Sequence, residues 1–160
     1  MKSKTFRNVV WGIVGIVVLI FLFSMVQKSV HVGSKPENAI DKILARQAEA
    51  WEQHDFSIAA GDWAADGVLI SPGGQFHVNE LQSIITDYGK HFKDLHVKVT
   101  NTFVSADSRQ AAVEWDWDVT RVRDGKRGVT HDAILITFQG GKIKSWREYF
   151  DLGDSVDAQP

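Results

Sequence analysis

The hydrophobic pattern of this chain changes its period after Asp94, and that change restricts the possible fold more than any other feature. Before Asp94, apolar residues recur mainly at helical spacing, with short strand-like segments at 67–71 and 75–78; after it, they alternate with polar residues as they do in strands. Turn signals at Asp124-Gly125 and Gly140-Gly141 divide the second part into successive antiparallel strands. Helices followed by a long meander predict an α+β fold.

Three helices are expected in the first half of the folded part. The first opens with an S-x-x-E capping box at Ser34–Glu37 and runs to about His54. A short second helix over Phe56–Asp62 is capped by Asp55, and a third follows a capping box at Asn79–Gln82. The pattern predicts strands over residues 67–71, 75–78, 95–104, 111–123, 126–138 and 142–151.

An uncharged apolar run occupies residues 9–26. As a helix it would measure roughly 27 Å, close to the thickness of a bilayer's hydrocarbon core. Lys2, Lys4 and Arg7 precede it, which predicts a single-pass span in the cell membrane with a cytoplasmic N-terminus and the domain outside. A cleaved signal peptide is the alternative.

The domain organisation follows from this span. Residues 1–8 form a basic cytoplasmic segment, 9–26 the transmembrane helix and 27–35 a tether. Residues 36–152 form the folded domain, and residues 153–160 are expected to be a disordered tail.

Charge and composition exclude several function classes. The first 36 residues carry five positive charges and no acid, which leaves 13 positive against 20 negative charges in the rest. An acidic domain is poorly suited to nucleic acid. There is no cysteine, and the histidines lack the spacing of a zinc site, so no metal is expected. No phosphate-binding glycine motif is found, so no cofactor is expected.

The hairpin at Asp124-Gly125 predicts which side chains face each other. It places Trp117 opposite Asp132 and Asp118 opposite His131. One face then carries acids and is assigned to the outside. The other, concave face carries Val113, Trp115, Trp117, Val119, Asp132, Ile134, Ile136 and Phe138.

The last strand leaves two alternatives open. Trp146, Glu148 and Phe150 share one face, whereas Arg147 and Tyr149 share the other. Alternation alone does not decide which face points inward.

Three segments carry a resemblance to a known family. These are AEAWEQHD at 48–55, DWAADGVLISP at 62–72 and GKIKSWREYFD at 141–151. They resemble the SnoaL-like branch of the nuclear-transport-factor-2-like superfamily. The resemblance implies a cone, in which a curved antiparallel sheet packs on the three helices around a deep apolar pocket. It leaves function open, since that branch includes isomerases, cyclases, dehydratases and non-catalytic domains.

Ketosteroid isomerase is the enzyme of this superfamily whose chemistry can be compared residue by residue. The resemblance places Ser71, Gln47 and Ile134 where that enzyme has its base and its oxyanion-binding residues. All three differ in kind, so steroid isomerisation is not expected here. Asp132 is the remaining catalytic candidate, with a purely structural role as the alternative. The expected pocket residues are Gln47, Trp51, Ser71, Tyr88, Trp115, Trp117 and Ile134.

Two functions are therefore expected. The first is a membrane-anchored, non-enzymatic module that binds an apolar small molecule or serves as an accessory subunit or homodimer, with Ala133 and Leu135 in its contact surface. The second is an isomerase, cyclase or dehydratase that uses Asp132 as general acid or base, with Gln47 or Tyr88 as hydrogen-bond partner.

Overall fold

The structure is a computed structural model that describes residues 38–150. Two α-helices, α1 (Ala39–Glu52) and α2 (Leu81–His91), pack against one six-stranded sheet. The strands are β1 (Trp63–Ser71), β2 (Gly74–His77), β3 (Phe92–Val104), β4 (Gln110–Arg121), β5 (Arg127–Gln139) and β6 (Lys142–Phe150). Their order across the sheet is β2-β1-β6-β5-β4-β3.

Helix α1 begins later than the sequence predicts. Asn38 is its N-cap and forms a capping box with Asp41, with reciprocal bonds of 2.9 and 3.2 Å. The box expected at Ser34–Glu37 lies outside the described residues. The helix buries Ile40, Ile43, Leu44, Gln47 and Ala50, which recur at the spacing of one helical face.

The prediction of a second α-helix over Phe56–Asp62 is wrong. Its residues form two short 3₁₀ helices, Phe56–Ile58 and Ala60–Asp62, with Asp55 capping the first through a 2.9 Å bond to Ser57 N. A segment this short gains few i→i−4 bonds, so it settles into 3₁₀ turns. The described residues thus contain two α-helices in place of the three expected.

Helix α2 follows a further 3₁₀ turn, Val78–Glu80. A capping box begins this 3₁₀ turn: Oε2 of Glu80 accepts from His77 N at 2.6 Å, two residues before the predicted box at Asn79–Gln82. Leu81 and Ile85 are its buried residues.

The sheet is mixed, and the prediction of a purely antiparallel sheet is wrong. Strand β1 pairs with β6 in parallel, with Leu69 beside Trp146, whereas the other neighbouring strands are antiparallel. This pairing joins segments far apart in sequence, so no local turn signal encodes it. It places β1 and β2 next to the last strand and closes the core.

The β4–β5 hairpin lies where Asp124-Gly125 predicts it, but its register differs by two residues. The turn is longer than two residues, with Arg121 N bonded to Lys126 O at 2.8 Å, and Gly125 adopts φ +71°. Trp115 therefore lies opposite Asp132, and Trp117 opposite Thr130. Because side chains alternate with period 2, a shift of two keeps every residue on its predicted face.

The inner face of the sheet carries the core, as predicted. Val113, Trp115, Ile134 and Ile136 are each no more than 1% exposed. Irregularities in β3, between Lys93 and His96 and between Val99 and Asn101, interrupt its pairing with β4. Such bulges bend a strand, and they help to curve the sheet around its inner face.

The predicted membrane span at 9–26, the tether and the tail at 153–160 lie outside the described residues. Across residues 38–150, neither α-helix has the length and hydrophobicity that crossing a bilayer requires.

Candidate functional site

A cavity of about 120 Å³ lies between the helices and the inner face of the sheet. Helices α1 and α2 each contribute one aromatic residue, and strands β1, β4, β5 and β6 contribute the rest. Its lining comprises Trp51, Ser71, Tyr88, Trp117, Thr130, Asp132, Glu148 and Phe150.

Asp132 is the buried carboxyl that β5 brings to this cavity. It is 7% exposed and lies opposite Trp115 in the β4–β5 ladder. The indole Nε1 of Trp115 donates to Oδ2 of Asp132 at 2.9 Å. Since Trp115 is itself 1% exposed, the bond fixes the carboxylate against a rigid part of the core.

Glu148 is the second carboxyl of the cavity, and its pairing shows which face of β6 points inward. It pairs with the buried Ile134, so it points inward, whereas Arg147 pairs with Leu135 on the outer face. Asp132 pairs with Phe150, which places the two carboxyls on the same face of adjacent strands, one diagonal step apart.

The electrostatics of the cavity keep Glu148 protonated near neutrality. Burial and, second, the negative charge of Asp132 raise the pKa of Glu148 to about 8, and a hydrogen bond from Trp146 partly opposes the shift. Glu148 can therefore donate a proton near neutrality, and Asp132 lies beside it as the candidate proton acceptor.

Aromatic rings form the remaining wall. Trp51, Tyr88 and Trp117 lie with ring centroids 5.1 to 5.7 Å apart and interplanar angles of 73° to 85°. Nε1 of Trp117 donates to the hydroxyl of Tyr88 at 2.8 Å, which links α2 to β4.

Three of the predicted pocket residues lie outside the cavity lining. Ile134 is fully buried in the core, and Trp115 reaches the cavity only through its bond to Asp132. Gln47 belongs to a separate polar network: its Oε1 accepts from Trp63 Nε1 at 3.1 Å, and its Nε2 lies 3.4 Å from Asp62 Oδ2. Arg46 completes that network with bonds of 2.6 and 2.9 Å to Asp62.

The hydrogen bonds of Gln47 go to Trp63 and Asp62, toward which α1 directs its side chain. One donor to Asp132 is the indole of Trp115, which the two-residue register shift brings opposite it.

His131 lies on the outer face, away from the cavity. Its Nδ1 is 2.7 Å from Oδ1 of Asp116, and the ring is exposed. A cross-strand pair on the surface was expected, but with Asp118, which instead binds Arg127 at 2.7 and 2.8 Å. Within residues 38–150, no group of three or more His, Asp or Glu side chains could hold a metal ion.

Sequence reasoning leaves the facing of Glu148 and Phe150 undecided and misses Thr130. The signal available for Glu148 was its alternation with Trp146, the largest apolar residue of the last strand. An irregular register between Thr137 and Phe138 lets both Ile143 and Trp146 point inward, although simple alternation would place them on opposite faces.

The fold and the pocket define a domain of the SnoaL-like class. The family model of the SnoaL-like domain matches residues 44–146, and the chain belongs to that family. No curated protein is significantly similar to it.

Solved structures of similar fold come from several bacteria. A protein of Catenulispora acidiphila with a ketosteroid-isomerase-like fold, in complex with trimethylamine, has a TM-score of 0.65 at 17% identity, covering 73% of this chain and 91% of its own. A provisionally named isomerase of Bacillus subtilis also scores 0.65, at 19% identity with coverages of 76% and 94%. A provisionally named polyketide cyclase of Pseudomonas putida scores 0.63, at 16% identity with coverages of 77% and 98%. At such identities the likeness shows the fold alone.

Proposed function

We propose that this SnoaL-like domain is an acid–base enzyme of the isomerase, cyclase or dehydratase type that acts on a small molecule. The observation that carries the proposal is the pair of carboxyls, Asp132 and Glu148, on one wall of one cavity. The raised pKa of Glu148 assigns it the role of the acid, which leaves Asp132 as the base.

The proposed step is the enolisation of a carbonyl compound. Asp132 removes a proton from the carbon next to the carbonyl, and the electron pair of the broken C–H bond forms a C=C bond. The carbonyl π electrons move to oxygen, which takes the proton of Glu148. Asp132 ends neutral and Glu148 ends charged, so the pair keeps one negative charge throughout. Reversal at a different carbon completes an isomerisation.

The environment of the pair supports this proposal. Trp115 holds Asp132 in position, and Asp132 is 7% exposed, so its interaction with a developing charge is stronger than it would be in water. The cavity of about 120 Å³ encloses only a few heavy atoms of a ligand. The Catenulispora acidiphila protein of similar fold is described with trimethylamine, a ligand of that size.

Hydrogen–deuterium exchange at carbon tests the proposal without a known substrate. Small ketones, both neutral and charged, are incubated in D₂O with the protein, and exchange next to the carbonyl is followed by NMR. We expect exchange above the buffer rate for at least one ketone, and a loss of about 10²-fold or more with Asp132→Asn. Asp118→Asn, which changes a half-buried carboxyl on the outer face, serves as the control.

Exchange that survives in Asp132→Asn at the wild-type rate would refute the assignment of the base. Exchange at the buffer rate for every ketone would refute the enolisation step itself.

We propose as a second candidate the membrane-anchored binding or assembly module, with a second copy of this chain as its partner. The outer face of the sheet carries exposed apolar side chains on strands β3, β5 and β6, namely Phe103 (60% exposed), Leu135 (49%) and Tyr149 (50%). They border one surface groove, and such a patch on a folded domain favours association. Ala133, expected in the same surface, lies opposite Tyr149.

Sedimentation equilibrium tests this candidate. Leu135→Glu should convert a dimer to a monomer, whereas Val122→Glu, at an equally exposed turn position (49%), should not. A wild-type domain that is monomeric at 100 μM or above would refute it.

The membrane attachment belongs to this second candidate as a proposal. Its support is the uncharged run at 9–26 behind Lys2, Lys4 and Arg7. Protease added to spheroplasts should digest the domain of the wild type, because a domain outside the membrane is accessible. If the wild-type domain is protected, whereas that of a Lys2→Glu, Lys4→Glu, Arg7→Glu variant of altered orientation is digested, the domain does not lie outside the membrane.

A further inference from the structure

The hydroxyl of Thr130 is a polar group of the cavity that the proposed function does not use. Among the described residues, Ser71 and Tyr88 also bring hydroxyls to the lining. Each of those two accepts a hydrogen bond from the protein: Ser71 from Gly73 N at 3.2 Å, and Tyr88 from the Trp117 indole at 2.8 Å. Within the part of the chain that the structure describes, Thr130 Oγ1 makes no hydrogen bond, although the residue is only 7% exposed.

A hydroxyl that is buried without a partner destabilises a protein, so such groups are normally satisfied by protein, water or a ligand. Thr130 lines the cavity, so a molecule held there can supply the missing partner. The backbone of Thr130 is fixed by its pairing with Trp117 in the β4–β5 ladder, and a β-branched side chain has few rotamers. The hydroxyl is therefore held in place before a ligand binds.

Thr130 also has a defined place relative to the acid pair. Thr130 and Asp132 are alternate residues of β5, so they share the inner face and lie roughly 7 Å apart along the strand. On β6, Phe150 is level with Asp132, and Glu148 is level with Ile134. The polar groups thus follow the order Glu148, Asp132, Thr130, and Thr130 lies at the end that is remote from Glu148.

This order assigns a part of the ligand to each group. In the proposed enolisation, Glu148 meets the carbonyl oxygen, and Asp132 meets the neighbouring carbon. Thr130 then meets a substituent on that carbon. A hydroxyl is the substituent that fits best, because it adds one heavy atom and can both donate to and accept from the hydroxyl of Thr130. A methyl group at the same place would leave Thr130 buried without a partner.

We infer that the substrate is a small, uncharged α-hydroxy ketone or α-hydroxy aldehyde whose hydroxyl is bound by Thr130. The inference rests on the proposed function and adds to it the class of the substrate and the residue that selects it. An uncharged substrate leaves the proton on Glu148, as the proposed step requires. The cavity volume of about 120 Å³ suits a molecule of a few heavy atoms.

Hydroxyacetone and 2-butanone test the inference, because they differ only in a hydroxyl or a methyl group on the carbon next to the carbonyl. Deuterium exchange at the CH₂ group of each is followed by NMR in D₂O with the full chain, and each rate is divided by the rate in buffer alone. We expect the acceleration to be at least tenfold greater for hydroxyacetone, since a site with a buried polar group discriminates against an analogue that leaves it unpaired.

Variants connect this preference to Thr130. Thr130→Val keeps the shape of the side chain without its hydroxyl, and it should bring the ratio of the two accelerations to within about twofold of one. Thr130→Ser keeps a hydroxyl and should retain most of the preference. Thr120→Val, at a half-buried threonine on the outer face of β4, is the matched control and should leave the ratio as in the wild type. Circular dichroism checks that each variant is folded.

The outcomes separate this inference from the proposed function. If both ketones are accelerated equally and the exchange depends on Asp132, the acid–base function stands and the inferred substrate class is wrong. A preference for hydroxyacetone that survives in Thr130→Val would show that Thr130 does not select the substrate. The comparison of the two ketones on the wild type decides the substrate class even if Thr130→Val does not fold.

Binding decides the inference if neither ketone is exchanged, a result that would refute the enolisation step. Saturation-transfer NMR then compares the affinities of the same two ketones. Hydroxyacetone that binds at least fivefold more tightly than 2-butanone, and loses this advantage in Thr130→Val, would support the inferred ligand without the inferred chemistry. Equal affinities, or no binding of either ketone at tens of millimolar, would overturn the inference.

Discussion

Nε1 of Trp115 donates to Oδ2 of Asp132 at 2.9 Å across the β4–β5 ladder, and both residues are buried. The bond gives a hydrogen-bond donor to a carboxylate that is buried away from water, and losing that donor makes burial of the carboxylate more costly. Trp115→Phe should lower the free energy of unfolding by about 1–3 kcal/mol, measured by urea denaturation at pH 7.

A double-mutant cycle separates this bond from the loss of indole volume. In an Asp132→Leu background the same Trp115→Phe change should cost at least 1 kcal/mol less. Additive effects within about 0.5 kcal/mol would mean that the bond contributes nothing measurable.

Glu148 makes stability depend on pH in a specific direction. Its folded-state pKa, about 8, lies above the ordinary value of 4.5, so the folded state binds its proton more tightly than the unfolded state. The stabilisation that this tighter proton binding provides is full below pH 4.5 and is lost as the pH rises toward 8. Glu148→Gln keeps the shape and removes the titration, so it should be more stable than the wild type, by about 1–3 kcal/mol at pH 7.

The quantity to follow is the difference in the free energy of unfolding between Glu148→Gln and the wild type, since other groups titrate in both proteins. This difference should grow between pH 5 and pH 8 and stay constant above that range. Glu114→Gln, at an exposed outer-face position of β4, provides the comparison and should show no such growth. A Glu148→Gln curve parallel to the wild type throughout would contradict the raised pKa.

The sequence was most informative where a pattern is local. The α1 face, the hairpin at Asp124-Gly125 and the inward direction of Trp115 and Ile134 follow from periodicity and turn chemistry. A register error of two residues did not disturb the facing, because the side-chain period is also two.

Long-range pairing and irregular register were beyond sequence reasoning. Nothing near Leu69 or Trp146 signals that their strands run parallel, and the bulge beside Ser145 changes the alternation of β6 without a glycine or proline to mark it. For the same reason, the sequence does not predict the acid pair. Asp132 is expected in the pocket, but Glu148 can be placed beside it only when the register of β6 against β5 is known.

Gln47 illustrates a residue that a family match places in the pocket and the structure assigns to the core. Its Oε1 accepts from Trp63 Nε1 at 3.1 Å, and the residue is 4% exposed. Gln47→Met keeps the volume but leaves the buried indole N–H without this acceptor, so it should cost about 1–3 kcal/mol of unfolding free energy. The rate of hydrogen–deuterium exchange of ketones by the protein should be unchanged.

Thermal and urea unfolding of Gln47→Met are to be compared with Gln53→Met, where an exposed glutamine at the end of α1 bonds to Glu49. That control should lose less than 0.5 kcal/mol or so. A catalytic defect in a normally stable Gln47→Met protein would show that Gln47 serves the site after all.

His54 and Gly89 form a close contact between the end of α1 and the last turn of α2. A Cβ at Gly89 would lie 2.7 Å from Cγ of His54, nearer than carbon atoms can approach, and His54 itself adopts φ +54°. Gly89→Ala gains about 1 kcal/mol of helix propensity, but it must displace the imidazole ring, so the free energy of unfolding should fall by about 1–2 kcal/mol.

A second background tests the role of the ring, since His54→Gly removes it and suits the left-handed backbone. In that background Gly89→Ala should instead stabilise the protein by about 0.5–1 kcal/mol, as helix propensity alone predicts. Chemical denaturation of the four proteins measures both changes, and an equal effect of Gly89→Ala in the two backgrounds would show that the ring does not limit this position.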